Sequence, residues 1–174
     1  MKKLLSLSAV ALVMLAGCSS KNESKESAAS SASSVEEKEE RNKQTALANL
    51  EGMNKHDFNK MFKDVAANIV DYGNSSMPPV KNADSLKAML QMFTTAFPDY
   101  KADVISAAAD GDKVFVYADC SGTFKNDMEG MKATNKSFKI KDVDIFTFDS
   151  AGKITEHRSV MPFEQIMKQV GAGK

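Results

Sequence analysis

Two aspartates near the end of the chain, Asp142 and Asp144, have the setting that best suits acid–base chemistry. They lie in the run 136–148 and are separated by one residue, the spacing that puts two side chains on one face of a β-strand. The other side chains on that face are Phe138, Ile140, Phe146 and Phe148. A carboxylate on such an apolar face lies either at a solvated edge or in a pocket. In a pocket, desolvation raises its pKa toward the range of a general acid or base near neutral pH.

A histidine in the next predicted strand is the second candidate. His157 alternates with Thr155 and Ser159, and an imidazole on that strand could shuttle protons. Structural roles are open for all of these groups. Asp142 could lie at the solvated end of its strand, Asp144 could accept a hydrogen bond from a backbone amide, and His157 could be hydrogen-bonded within the fold. Asp144 and His157 are therefore candidate catalytic residues without an assigned role.

Four more side chains are candidates for ligand contacts. Tyr117 and Asp119 share one face of a predicted strand, Tyr72 is the last residue of an earlier predicted strand, and Phe146 lies on the face of the two aspartates. For Tyr72 and Tyr117, a half-buried tyrosine whose hydroxyl is hydrogen-bonded within the fold is favoured over a catalytic phenol. The many methionines of the domain either fill a core or adapt an irregular cavity to its ligand.

Composition argues against several other kinds of site. The chain has 23 basic and 23 acidic residues and a formal net charge of zero, so no strongly basic field is present to hold nucleic acid. It contains no CxxC, HExxH, GxGxxG, GxSxG or Walker motif. With only two histidines, a histidine-rich metal site is not expected. The sequence predicts no metal, no cofactor and no nucleic-acid partner.

The first eighteen residues resemble the signal peptide and lipobox of a bacterial lipoprotein. Lys2 and Lys3 precede an apolar run too short to span a bilayer, and Leu15-Ala16-Gly17-Cys18 closes it. The resemblance implies that Cys18 is acylated and anchors the protein to a membrane of the bacterial cell envelope, on the periplasmic or extracellular face. Residues 19–34 are serine-rich and lack large apolar side chains, which predicts a disordered linker.

The rest of the chain, residues 35–174, reads as helices followed by strands. Apolar residues at helical spacing predict a helix after Val35, a short one capped by Asp57, and one from Asp84 or Ser85 to Pro98. Strand patterns follow at 103–108, 113–124, 136–148 and 153–161, after an earlier one at 68–72. A last helix is expected from Phe163 to Val170. Helices first and long antiparallel strands afterwards indicate an α+β domain.

Seven short sequence motifs spread over this domain resemble those of a known protein family. They are AsnLysHisAspPhe at 54–58, AlaPheProAspTyr at 96–100, GlyAspLysVal at 111–114, SerGlyThrPhe at 121–124, AspValAspIlePheThrPhe at 142–148, GlyLysIleThrGluHis at 152–157 and GlnValGly at 169–171. In this order they resemble the SnoaL-like polyketide cyclases, within the fold of nuclear transport factor 2 and ketosteroid isomerase. The resemblance implies N-terminal helices on a curved antiparallel sheet, forming a cone around an apolar cavity. Relatives use that cavity for cyclisation, isomerisation, dehydration or ligand binding, so the fold alone does not give the function.

Three positions depart from the family pattern. Family members commonly read GluHisTrp in the last strand, with an aspartate four residues after the tryptophan that is the acid or base of the cyclases. Here Arg158 stands at the tryptophan position and Pro162 at the aspartate position. Phe124 replaces the histidine of a GlyThrHis word. The cyclase chemistry therefore cannot be carried over at Pro162.

The expected function is that of a membrane-anchored lipoprotein whose domain binds a small apolar ligand or a partner protein in or near its cavity. The alternative is a cofactor-free enzyme of cyclase or isomerase type that uses Asp144 or His157 as acid or base. A third possibility is an interaction protein that forms a homodimer through the outer face of its sheet. An enzyme requires one of these groups to line a closed apolar pocket with a second polar group within reach.

Overall fold

The structure is a computed structural model that describes residues 23–75, 77–161 and 163–172, with side chains from residue 33 onward. Contacts divide the chain into two units, residues 1–33 and 34–174. The predicted signal peptide and Cys18 lie outside the described residues. Within the described part of the chain, no helix is long and apolar enough to cross a membrane.

Helices and strands follow one another in an α+β order. The helices are α1 Glu23–Asn54, α2 Phe58–Phe62, α3 Ala83–Ala96 and α4 Phe163–Gln169. The strands are β1 Val65–Asp71, β2 Val80–Lys81, β3 Lys101–Asp110, β4 Lys113–Thr123, β5 Ser137–Phe148 and β6 Ile154–Ser159. Helix α1 begins inside the segment 19–34 that composition predicts to be a linker. Residues 23–34 contain neither glycine nor proline, the two residues least compatible with a helix.

The strands form one mixed sheet in the order β2-β1-β6-β5-β4-β3. Strands β1 and β6 are parallel, and the other neighbours in the sheet are antiparallel. Irregular register leaves extra, unpaired residues in β1, β3 and β6, and such β-bulges bend the strands that carry them. The predicted α+β fold is confirmed, with the difference that the sheet is mixed rather than wholly antiparallel.

Strand β5 shows the predicted alternation along its whole length. Its buried side chains are Phe138, Ile140, Asp142, Asp144, Phe146 and Phe148. Phe138 and Ile140 belong to one apolar cluster, and Phe146 and Phe148 belong to a second one. The two aspartates therefore lie between the two halves of the hydrophobic core.

Helix ends and close contacts set the helices over the inner face of the sheet. Asp57 caps α2 as predicted, and its Oδ1 accepts a hydrogen bond of 3.0 Å from Lys60 N. The cap of α3 is Asn82, earlier than the predicted Asp84 or Ser85; its Oδ1 accepts from Ser85 N at 2.9 Å. The side chain of Asn54 exchanges two hydrogen bonds with the backbone of Ala102, at 2.9 and 2.7 Å. These bonds tie the end of α1 to β3.

Candidate functional site

A cavity of about 320 Å³ is lined by helices α1 to α3, the inner faces of β1, β5 and β6, and nearby loops. Its lining is mostly apolar and includes Phe93, Phe146 and seven methionines. Three of these methionines, Met77, Met89 and Met92, are at least one third exposed, so they lie where the cavity opens to solvent. The size and the apolar walls suit a small molecule.

A histidine that bridges two aspartates forms part of the cavity wall. His157 Nδ1 lies 3.0 Å from Asp71 Oδ2, and its Nε2 lies 3.0 Å from Asp144 Oδ1. The register explains the arrangement: the parallel pair β1–β6 puts Asp71 beside His157, and the antiparallel pair β5–β6 puts Asp144 opposite Ser159. The side chains of Asp71 and Asp144 are only 8% and 10% exposed, and that of His157 is 20% exposed. Three adjacent strands thus hold one buried ionic cluster.

The two carboxylates fix the charge of the imidazole. Burial disfavours the charged ring, but the hydrogen bonds and charges of Asp144 and Asp71 outweigh burial and raise the pKa of His157 to about 10. Burial also acts to raise the pKa of Asp71, yet the bond and charge of His157 and the amide of Gly73 hold that pKa below its usual value. At neutral pH, His157 is therefore an imidazolium that donates both of its N–H groups. Without a free lone pair it cannot accept a proton, so its role here is to hold Asp144 in place.

Asp142 lies beside this cluster and is bound by protein donors. Its Oδ1 accepts from the backbone amides of Val143 at 2.6 Å and Met161 at 2.9 Å, and its Oδ2 accepts from Ser159 Oγ at 2.7 Å. Burial and the negative charge of Asp144 raise the pKa of Asp142 despite these bonds. The structural roles considered from the sequence do not hold for these two residues. Asp142 is buried rather than solvated, and it is Asp142, not Asp144, that accepts hydrogen bonds from backbone amides.

The second carboxylate oxygen of Asp144, Oδ2, is available to accept a hydrogen bond from a ligand. Oδ1 is bound to His157, whereas Oδ2 has no hydrogen-bond donor among the described residues. Asp144 lines the cavity, so a ligand N–H, O–H or acidic C–H could approach Oδ2. The arrangement meets two parts of the condition set for acid–base chemistry, because Asp144 lies in an apolar cavity and a second polar group, His157, is in contact with it. The cavity is open to solvent rather than closed.

A tyrosine and a cysteine form a second buried pair close to the cavity. The hydroxyl of Tyr100 donates to Cys120 Sγ at 3.6 Å, and Tyr100 also lines the cavity. Burial raises the pKa of Cys120 to about 12 and that of Tyr100 well above its usual value. Both groups are therefore neutral at physiological pH, and Cys120 is not a thiolate nucleophile.

The four predicted ligand contacts divide between the two faces of the sheet. Tyr72 and Phe146 line the cavity. Tyr117 and Asp119 instead lie on the outer face of β4, where Lys141 Nζ is 2.7 Å from Asp119 Oδ1 and 5.3 Å from the ring of Tyr117. The expectation that they face the cavity is wrong, because Val116, Ala118 and Cys120 occupy the inner face of this strand. Strand alternation correctly put Tyr117 and Asp119 on the same face of β4, but it did not show that this face is the outer one.

Two residues of the site were missed by the sequence analysis. Asp71 is two positions after the fully buried Ile69 in β1, so strand alternation could have placed its carboxylate on the inner face. Ser159 was noted only as a neighbour of His157, and its hydroxyl binds Asp142. Of the positions that depart from the family pattern, Arg158 has its guanidinium 3.8 Å from the centre of the Tyr72 ring, and Pro162 lies outside the described residues.

The described part of the chain contains no group of three or more histidine, cysteine, aspartate or glutamate side chains arranged to hold a metal ion.

Comparison with known proteins supports the fold. Residues 43–170 match the family described as SnoaL-like polyketide cyclase, and no curated protein matches the chain. A proposed SnoaL-like polyketide cyclase from Jannaschia Sp. CCS1 superposes with a TM-score of 0.70 at 19% identity, over 78% of this chain and 95% of that one. A proposed hydroxylase from Streptomyces galilaeus gives a TM-score of 0.66 at 22% identity, over 76% and 97%.

A third solved structure carries a different activity on the same fold. An LEH-like epoxide hydrolase from M. tuberculosis superposes with a TM-score of 0.60 at 15% identity, over 76% of this chain and 91% of that one. At these identities the likeness establishes the fold only. Because proteins of this fold differ in the reactions named for them, the function depends on the side chains of the cavity.

Proposed function

Because the chain belongs to the SnoaL-like polyketide cyclase family, we propose that it uses its cavity for a small molecule, a mostly apolar ligand with one polar group. The polar group lies against Asp144 and Asp142, and the apolar part lies among the phenylalanine and methionine side chains of the lining. A volume of about 320 Å³ is at the lower end of the range for small-molecule sites.

The observation that carries this proposal is the open acceptor at Asp144 Oδ2. A ligand N–H or O–H that reaches this oxygen forms a hydrogen bond to an ionised acceptor, and such bonds are stronger than those between two neutral groups. The apolar lining contributes affinity through burial, while the carboxylate orients the ligand. Binding and orientation would thus come from different parts of the same cavity.

A second candidate function is proton transfer, as in a cyclase or an isomerase. Asp144 Oδ2 would accept a proton from a ligand carbon next to a carbonyl, and the electron pair of the broken C–H bond would move toward the carbonyl oxygen. His157 would hold the carboxylate, and Asp144, which then carries the abstracted proton, would return it to another carbon of the ligand. The same open oxygen favours this candidate, but both nitrogens of His157 are occupied, so Asp144 is the better candidate base.

Ligand capture tests the first function. The full chain is incubated with cell extract, repurified, and the retained small molecules are identified by mass spectrometry. Leu90→Trp should abolish retention because Leu90 lines the cavity, and an indole there would fill much of it. Val104→Trp is the matched control, since Val104 is 43% exposed. Equal retention by both variants would show that the ligand binds elsewhere.

Turnover tests the second function. With a ligand identified, Asp144→Asn should lower the rate by on the order of a hundredfold or more, the usual size of a general-base contribution, with an unchanged circular dichroism spectrum. Asp119→Asn removes a carboxylate from the outer face and should leave the rate unchanged. Full activity of Asp144→Asn would exclude Asp144 as the base.

We also propose that the chain is anchored to a membrane of the bacterial envelope through acylated Cys18. The proposal is supported by Lys2 and Lys3, the short apolar run and the Leu-Ala-Gly-Cys word. Two or three acyl chains hold a protein at a bilayer far more firmly than one chain does. Such a protein would bind its ligand at the membrane surface.

A further inference from the structure

The described residues that line the cavity carry more negative than positive charges. Among the described residues that line it, the carboxylates are Asp71, Asp142, Asp144 and Glu129, whereas His157 is the only cation and no lysine or arginine is present. Glu129 is exposed, but the three aspartates are buried. One imidazolium therefore faces three buried carboxylates.

This imbalance has a visible effect on Asp142. The imidazolium is shared between Asp71 and Asp144, and no cation contacts Asp142 among the described residues. Its bonds come from two backbone amides and a hydroxyl, and burial together with the charge of Asp144 raises its pKa. A positive charge entering the cavity would be attracted by Asp142 and by the open Oδ2 of Asp144, and would offset the cost of burying them.

The uncharged walls also suit a cation with an apolar body. Phe93, Tyr100 and Phe146 line the cavity, and the rings of Phe93 and Tyr100 meet edge to face with their centres 5.2 Å apart. Aromatic faces attract ammonium groups, and thioethers adapt to ligand shape. The same wall repels a carboxylate, because like charges in a buried site destabilise binding.

We infer that the ligand of this cavity is a small organic amine, protonated at neutral pH, whose ammonium group lies against Asp142 and Asp144 and whose apolar part lies among the aromatic and methionine side chains. This inference rests on the proposed binding function and specifies its ligand class. Fatty acids and other organic carboxylates are excluded from the inner part of the cavity.

A matched set of three probes tests the inference with the full chain. The probes are 3-phenylpropylamine, 3-phenylpropanol and 3-phenylpropanoate, which share one apolar body and differ in the charge of the end group. Binding is measured by isothermal titration calorimetry at neutral pH. The amine should bind at least tenfold more tightly than the alcohol, and the carboxylate should bind more weakly than the alcohol.

Variants that remove one negative charge show which carboxylates cause the preference for the amine over the alcohol. Asp142→Asn keeps the shape of the side chain and should reduce the amine-to-alcohol ratio about tenfold, whereas Asp119→Asn, with its carboxylate on the outer face, should leave the ratio unchanged. Leu90→Trp should block all three probes. Added salt should weaken amine binding more than alcohol binding.

The outcomes separate the two proposals. Equal affinities for amine and alcohol, or a preference for the carboxylate, would overturn the amine inference and leave cavity binding intact. A preference for the amine that persists in Asp142→Asn and in Asp144→Asn would place the ammonium elsewhere and overturn the inference as well. If none of the probes binds, or if Leu90→Trp binds them unchanged, the proposed binding function fails and the inference fails with it.

Discussion

The stability of the domain should fall with rising pH in a window set by His157. Its pKa is raised from 6.5 to about 10 in the fold, so the folded state binds a proton that the unfolded state releases. A group whose pKa is raised by folding stabilises the protein fully below its unfolded pKa, and this stabilisation is lost as the pH rises through the folded value. The loss therefore begins near pH 6.5 and continues toward pH 10.

Its magnitude can be worked out over a narrower window. Cys120 has an ordinary pKa of 9.0 that burial raises to about 12, so this thiol adds a loss of its own above pH 9. Between pH 6.5 and pH 9, the folded state binds up to one proton more than the unfolded state. One such proton changes the free energy of unfolding by about 1.4 kcal/mol per pH unit. The free energy of unfolding should therefore decrease by about 3 kcal/mol across this window.

Urea denaturation of the full chain at pH 6.5, 7.5, 8 and 9 measures this decrease. His157→Gln should remove the slope, whereas His56→Asn, which changes the other histidine of the chain, should keep it. Because His157→Gln leaves two carboxylates buried without their cation, it is expected to be less stable throughout. A direct readout is therefore added, the ¹⁵N chemical shift of the His157 ring, which should titrate near pH 10. A flat free energy between pH 6.5 and 9, or a ring that titrates near 6.5, would contradict the reasoning.

Other predictions concern parts of the chain outside this cluster. Cys120 should resist iodoacetamide at pH 8 in the folded Cys18→Ser chain and react after unfolding in guanidinium chloride; full labelling of the native protein would show that the thiol is accessible. The same Cys18→Ser chain should remain an unprocessed precursor without labelled palmitate when expressed in bacteria, and normal labelling would refute acylation at Cys18. Gly52→Ala should destabilise the fold by on the order of 1–3 kcal/mol in urea denaturation, because a Cβ there would lie 2.6 Å from the backbone nitrogen of Met61; an unchanged midpoint would show that α1 and α2 can separate at no cost. A chain of residues 35–174 should give the circular dichroism and cooperative melting of a folded domain, and aggregation would place residues before Val35 in the core.

The fold could be predicted because its signals are local. Strand alternation in β4 and β5 and the proline after α3 depend on side chains that are close in sequence. The parallel pairing of β1 with β6 leaves no such signal, because it joins segments that are distant along the chain. For that reason the mixed character of the sheet became visible only in the structure.

The candidate site was predictable only in part, for a related reason. Asp144 and His157 were recognised from the patterns of their own strands, but their contact depends on the register of β5 against β6. Alternation sorts the side chains of a strand into two faces without saying which face is buried. This explains why Phe146 was placed correctly while Tyr117 and Asp119 were not.

The position of the cluster within the sheet bears on how much its geometry can vary. Asp71, Asp144 and His157 come from three adjacent strands whose backbones are hydrogen-bonded to one another, and the two aspartates of β5 lie between two apolar clusters. A carboxylate on a loop could turn toward solvent when its partner is removed, whereas these carboxylates are held in the core by the strands themselves. Loss of the imidazolium therefore leaves buried negative charge rather than a relaxed surface, and a cationic ligand in the cavity would compensate that charge. This is why the charge of the bound molecule, rather than its shape alone, is expected to decide which ligands the cavity accepts.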